Sequence, residues 1–217
     1  TLINRLKVDI KRIKSRKADL DKIGLKNVYP DPYVNRAWIF YCLGLDEQAL
    51  NETKEALKVL PSCAQAYNII GRIYIKQKLY EQAFETLRLA SIYAPFDAET
   101  LISLGNFYTE TGKSNDSLKI YKKLTKLNPY YAKGFYLLSR AYTQMKNTKL
   151  AIKSLRTALK LDPFIACYYQ ELGELLNKNN DFKGAAQVYK DAIDTGLDKN
   201  NFYNLLNTIR NKTEVRK

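Results

Sequence analysis

The stretch AQAYNIIGRIYIKQKLYEQAFETLRLASIYAPFD, residues 64–97, decides the fold. Ala66, Tyr67, Ile70, Gly71, Tyr74 and Ile75 recur at spacings of three and four, as on the apolar face of a helix. Lys78, Leu79 and Tyr80 then make a short turn. Ala83, Leu87, Ala90 and Tyr93 outline a second helix. Pro95 ends it, because the residue before a proline, here Ala94, is pushed out of the helical region. Gly71 and Ala83 are small enough to let two helices approach closely, with Tyr74 filling the space beside them. A larger residue at either place would overpack that crossing.

Outward from this stretch the same pattern returns in both directions. Pro61, Pro95, Pro129 and Pro163 are each 34 residues apart. Gly71, Gly105 and Gly173 share that step, with Ser139 on the missing rung. Ala49, Ala83, Ala151 and Ala185 follow it, with Ser117 between, and so do Ala56, Ala90, Ala158 and Ala192, with Leu124 between. Phe40, Tyr74, Tyr108 and Tyr142 form an aromatic ladder that ends at Leu176. Ladders in one phase mark a chain built from stacked copies of a single helix pair.

The pattern resembles the tetratricopeptide repeat family, whose signature runs aromatic, Leu-Gly, Tyr, Ala, aromatic, Ala and Pro. Tyr33, Tyr67, Leu101, Phe135 and Tyr169 stand at the opening places. Leu-Gly appears at 104–105 and 172–173, and nearly so as Ile70-Gly71 and Leu138-Ser139. The resemblance implies an all-α fold, a right-handed α-solenoid of antiparallel helix pairs. It implies five units within 30–199, at 30–63, 64–97, 98–131, 132–165 and 166–199. The first departs most, with Arg36-Ala37 where Leu-Gly belongs, and the fifth ends in Gly196-Leu197 instead of a proline. Residues 200–217 read as a capping helix and basic tail, with Phe202, Tyr203, Leu205, Leu206 and Ile209 as its apolar side. Residues 1–29 lie outside the repeat. Leu6, Ile10, Ile13 and Leu20 make one stripe among Arg and Lys, which predicts a basic amphipathic helix over 2–23 and then a linker. That helix is expected to dock on Val34, Trp38 and Tyr41 or on a partner helix.

The composition narrows the function. The 217 residues include no histidine, which removes the commonest general base and metal ligand. Cys42, Cys63 and Cys167 form no C-x-x-C, and read as reduced thiols. Gly112-Lys113-Ser114 resembles the end of a phosphate-binding loop, but Phe107 stands where that loop needs glycine. Glu171 and Glu174 share a helix face without further ligands and read as surface. The expectation is a noncatalytic protein with no cofactor and no metal. No run of about 18 apolar residues spans a membrane, and no secretory signal is visible, so an intracellular location, cytoplasmic or organellar, is expected.

Net charge is +14, which favours acidic partners. It concentrates in residues 1–29 and in the fourth unit, each +6. Lys54, Arg88, Lys122, Arg156 and Lys190 are 34 apart, and Lys126, Lys153 and Lys160 broaden the row in the middle. In the family such positions face outward on the convex side. They read as a solvated face or as a docking surface for phosphates or an acidic protein. The family binds partners on the concave face, formed by the first helix of each unit. By resemblance that face includes Trp38, Asn68, Arg72, Asn106, Tyr136, Arg140 and Gln170, with Lys76, Gln144, Glu174 and Lys178 beside them. Some members clamp a C-terminal carboxylate, and here Asn68 and Lys133 match that clamp while Val34, Trp38, Ile69, Ser103 and Leu137 do not complete it. The expected function is a scaffold or adaptor that holds proteins together within a larger assembly. The alternative is an RNA- or ribosome-associated factor acting through the basic surface.

Overall fold

The computed structural model describes residues 31–214, and these form eleven helices and no strand. They are α1 (Asp31–Cys42), α2 (Asp46–Val59), α3 (Ala64–Lys76), α4 (Tyr80–Tyr93), α5 (Ala98–Glu110), α6 (Ser114–Leu127), α7 (Ala132–Gln144), α8 (Thr148–Leu161), α9 (Ala166–Lys178), α10 (Phe182–Asp194) and α11 (Lys199–Glu214). The helix anticipated over 2–23 lies outside the described residues. The chain divides into two compact units that meet at Gly112 and Lys113, inside the third 34-residue segment.

In the first unit α1 pairs with α2 and α3 with α4, while α5 packs on both α3 and α4. In the second, α7 lies between α6 and α8, α9 pairs with α10, and α11 packs on α10. The result is an α-solenoid fold of helix pairs, as the ladders require.

The small-residue ladders are where the pairs cross. Ala49, Ala56, Ala83, Ala90, Ala151, Ala158, Ala185 and Ala192 are all 0% exposed. Ser117 and Leu124, which interrupt the alanine ladders, are as fully buried. Gly71 allows the close approach expected of it, but its neighbour is Leu87: a Cβ on Gly71 would come within 2.6 Å of the Leu87 side chain. Ala83 is buried instead with Leu87 and Phe107. A Cβ on Gly173 would overlap the Tyr189 ring in the same way.

Each pair turns through one left-handed residue. Gly44, Lys78, Gly112, Lys146 and Asn180 have positive φ and are themselves 34 apart. Leu45, Leu79, Asn147 and Asp181 follow such residues and donate their backbone N–H groups to the carbonyls of Phe40, Tyr74, Tyr142 and Leu176 at 2.9 Å. This satisfies the carbonyls that a helix end leaves open, in the Schellman pattern. The second helices end differently. Leu60, Ala94, Asn128 and Asp162 leave helical geometry directly before the four laddered prolines. Asp97, Asn147 and Asp181 cap the helices that follow them by accepting from the N–H groups of Thr100, Leu150 and Gly184.

Arg36, which breaks the signature, is 3% exposed. Its guanidinium donates to Glu52 on α2 and lies 5.0 Å from the Tyr33 ring centroid. Its other terminal nitrogen, Nη1, has no hydrogen-bond partner.

Candidate functional site

In the first unit the first helices α1, α3 and α5 carry Trp38, Asn68, Arg72 and Asn106. Trp38 is 42% exposed and tilts against Tyr41 at 5.5 Å. Arg72 lies over the Trp38 ring, 5.1 Å from its centroid. It also donates to Ser103 at 2.6 Å and pairs with Glu99, so one guanidinium links α1, α3 and α5. Lys76 is paired with Asp46 of α2 at 2.9 Å. Asn68 is buried, and its Oδ1 has no partner. Asn106 is exposed. The sequence reading missed the role of Arg72 as a tie between helices. Its signal is the spacing of 27 and 31 residues to Glu99 and Ser103, near one repeat length.

In the second unit α7 and α9 face each other. Tyr136 donates to Glu171 at 2.6 Å, and its ring lies 5.0 Å from that of Tyr168. Burial and the negative charge of Glu171 push the Tyr136 phenol well above its ordinary range, so it stays a neutral donor. Beside it opens a cavity of about 270 Å³ lined by Arg140, Thr143 and Gln144 of α7 and by Glu171, Glu174, Leu175 and Lys178 of α9. Gln170 donates to Glu174 at 3.1 Å but does not line the cavity. Arg140 and Lys178 form no ion pair among the described residues. Glu171, read from sequence as mere surface, holds Tyr136 and one wall. The cavity therefore offers two cations, two carboxylates, an amide and a hydroxyl to one ligand segment.

Cys167 lies beside this polar group, next to Tyr136 and Glu171. All three cysteines are free thiols. Burial raises the pKa of Cys63, and of Cys167 beside Glu171, which lowers their thiolate fraction.

The second helices carry the basic row. Lys54 and Arg88 are exposed in the first unit, and Arg88 pairs with Glu85 at 2.9 Å. In the second unit Lys122, Lys126, Lys153, Arg156, Lys160 and Lys190 are all exposed. The Lys122 ammonium lies 5.7 Å from the Tyr142 ring centroid.

The chain belongs to the tetratricopeptide repeat family. Tetratricopeptide repeat profiles match residues 36–98, 98–131 and 132–164, together more than half of the chain. The pilF protein of Pseudomonas aeruginosa is similar in structure at 22% identity, with a TM-score of 0.75 over 86% of this chain and 85% of that one. A chain of the APC/C hetero-tetramer Cut9-Hcn1 is similar at 15% identity, with a TM-score of 0.77 over 95% of this chain and 40% of that one. YrrB, described as a TPR protein with an unusual peptide-binding site, is similar at 19% identity, with a TM-score of 0.58 over 80% of this chain and 90% of that one. No curated protein sequence matches the chain. No helix among the described residues is long and apolar enough to cross a membrane.

Proposed function

We propose that the chain is a noncatalytic scaffold or adaptor that binds other proteins as a subunit of a larger assembly. In this reading residues 30–199 are five repeat units, 200–217 a C-terminal cap, and 1–29 a separate basic segment. The observation that carries the proposal is the open cavity between α7 and α9, where Arg140, Gln144 and Lys178 point unpaired chemistry at a space the size of a few side chains. A peptide segment suits it: its carboxylates and carbonyls meet Arg140 and Lys178, and its N–H groups meet Glu171 and Glu174. Trp38 and Asn106, both exposed, offer a second binding face in the first unit, while Asn68 is buried. Repeat folds of this kind use such faces for protein partners, and YrrB is described as having a peptide-binding site.

The test is affinity copurification with mass spectrometry, using the wild-type chain and a variant with Arg140, Gln144 and Lys178 all changed to Ala. A specific protein partner should be recovered with the wild type and lost from the variant, with thermal stability nearly unchanged. Equal recovery with both chains would move binding to another face.

A further inference from the structure

The cations of the second unit are ordered in a way that a solvated surface does not require. On α6, Lys119, Lys122, Lys123 and Lys126 are spaced three and four apart and share one face. On α8, Lys149, Lys153, Arg156 and Lys160 do the same over the whole helix. All eight are exposed, opposite the buried Tyr121 and Leu124 of α6 and Leu155 and Ala158 of α8. Asp116, paired with Lys119 at 3.2 Å, is the one acid on either helix. Lys122, Lys126, Lys149, Lys153, Arg156 and Lys160 form no ion pair among the described residues.

A second feature lies at one end of these stripes. Tyr130 is 87% exposed and Phe164 68% exposed. They sit in the loops that follow α6 and α8, each directly after a laddered proline and four residues beyond Lys126 and Lys160. Short turns make α6 and α8 both antiparallel to α7, so the two loops lie at the same end of that helix. Phe96, 67% exposed directly after Pro95, holds the same register in the first unit beyond the acidic α4, so the ring ladder is longer than the basic stripes and only in the second unit do ring and stripe coincide.

We propose that the exposed faces of α6 and α8 bind the backbone of a single-stranded nucleic acid, with Tyr130 and Phe164 stacking on its bases. Phosphates regularly spaced along a strand match cations regularly spaced along a helix, and every unpaired base has a face for an aromatic ring. A duplex hides those faces in its own stack. A bilayer fits less well. If the rings entered it, Lys126 and Lys160 would reach the headgroups, but Lys119 and Lys149 would lie about 10 and 16 Å further along their helices. That exceeds the screening length of about 8 Å at physiological salt. A strand that runs the length of the helices uses both the cations and the rings.

The experiment measures binding of a labelled oligouridylate and an oligothymidylate of about fifteen nucleotides to the full chain across salt. A duplex of equal length, polyglutamate and phosphatidylserine vesicles serve as competitors. The wild type should bind both single strands at about micromolar levels in low salt. Six unpaired cations predict a log–log salt slope of about −4. Changing Lys126, Lys153, Arg156 and Lys160 to Glu should weaken binding by more than about tenfold and flatten the slope by about 3. Changing Tyr130 and Phe164 to Ala should weaken it by about tenfold with the slope unchanged. These residues are exposed, so circular dichroism should match the wild type for both variants. No measurable binding of either strand overturns the proposal. Equal competition by polyglutamate together with insensitivity to the ring variant overturns it in favour of an acidic protein. Ring-dependent vesicle binding tighter than strand binding overturns it in favour of a membrane.

Discussion

The two units share a helix-pair design and differ in the charge of their second helices. Glu81 and Glu85 on α4 stand two repeats before Lys149 and Lys153 on α8, at the same register. α2 carries Asp46, Glu47, Glu52 and Glu55 against Lys54 and Lys58. α6 carries four lysines against Asp116. The crossing places are 0% exposed in both units, as alanine on α2, α4, α8 and α10 and as Ser117 and Leu124 on α6, so the charge reversal leaves their burial untouched. In a helix-pair repeat the buried register sets the architecture, and the exposed register is free to take either sign. A like difference exists inside the core. The first unit has Arg36 where the second has Leu138, three repeats later.

The largest expected effect breaks that core difference. Changing Glu52 to Ala leaves the Arg36 guanidinium buried without its carboxylate, which should cost about 3–5 kcal/mol in a denaturant titration. The Arg36→Leu change makes the first unit resemble the second and should be near neutral or stabilising, with Glu52→Ala then costing little. Additive losses in the double variant would show that Arg36 and Glu52 do not act as a pair.

Alkaline titration should test the second unit next. Burial pushes the pKa values of Tyr168 and Tyr189 in the second unit up to about 12. An unfolded tyrosine ionises near 10. The folded state thus holds these protons more tightly, and stability is complete below about pH 10 and lost as pH rises toward 12. Each group should contribute about 2–3 kcal/mol to that loss. Tyr168→Phe or Tyr189→Phe should remove its share, read by tyrosinate absorbance and circular dichroism against pH. An alkaline midpoint unmoved by either change would refute this assignment.

Overpacking should then affect both units alike. Ala83→Leu and Ala151→Leu each add bulk at a fully buried place and should cost about 1–3 kcal/mol. A cost confined to one unit would mean that the crossings are not equivalent. The smallest effect has the opposite sign. Lys78 and Lys146 hold left-handed geometry with φ of 61 and 58°. Lys78→Gly and Lys146→Gly should each raise stability by about 1 kcal/mol, seen as a higher Tm. A fall in Tm at both would show that the lysine side chains contribute more than the backbone strain costs.

The repeat length, the helix pairing and the buried ladder were legible in the sequence, because a 34-residue period leaves prolines and small residues in fixed phase. The left-handed turn ladder was less visible. Gly44 and Gly112 mark two of its places, but Lys78, Lys146 and Asn180 occupy the others, and lysine is no ordinary sign of positive φ. The candidate site was legible only as a set of helix faces. Sequence spacing put Arg72 and Arg140 in equivalent positions, two repeats apart. Tertiary structure separated them: Glu99, Ser103 and the Trp38 ring take up Arg72, while Arg140 opens onto a cavity. Periodicity along one chain determines which side of a helix a residue occupies. Whether its charge is met there depends on side chains that neighbouring helices bring from a repeat away, and only their packing decides it.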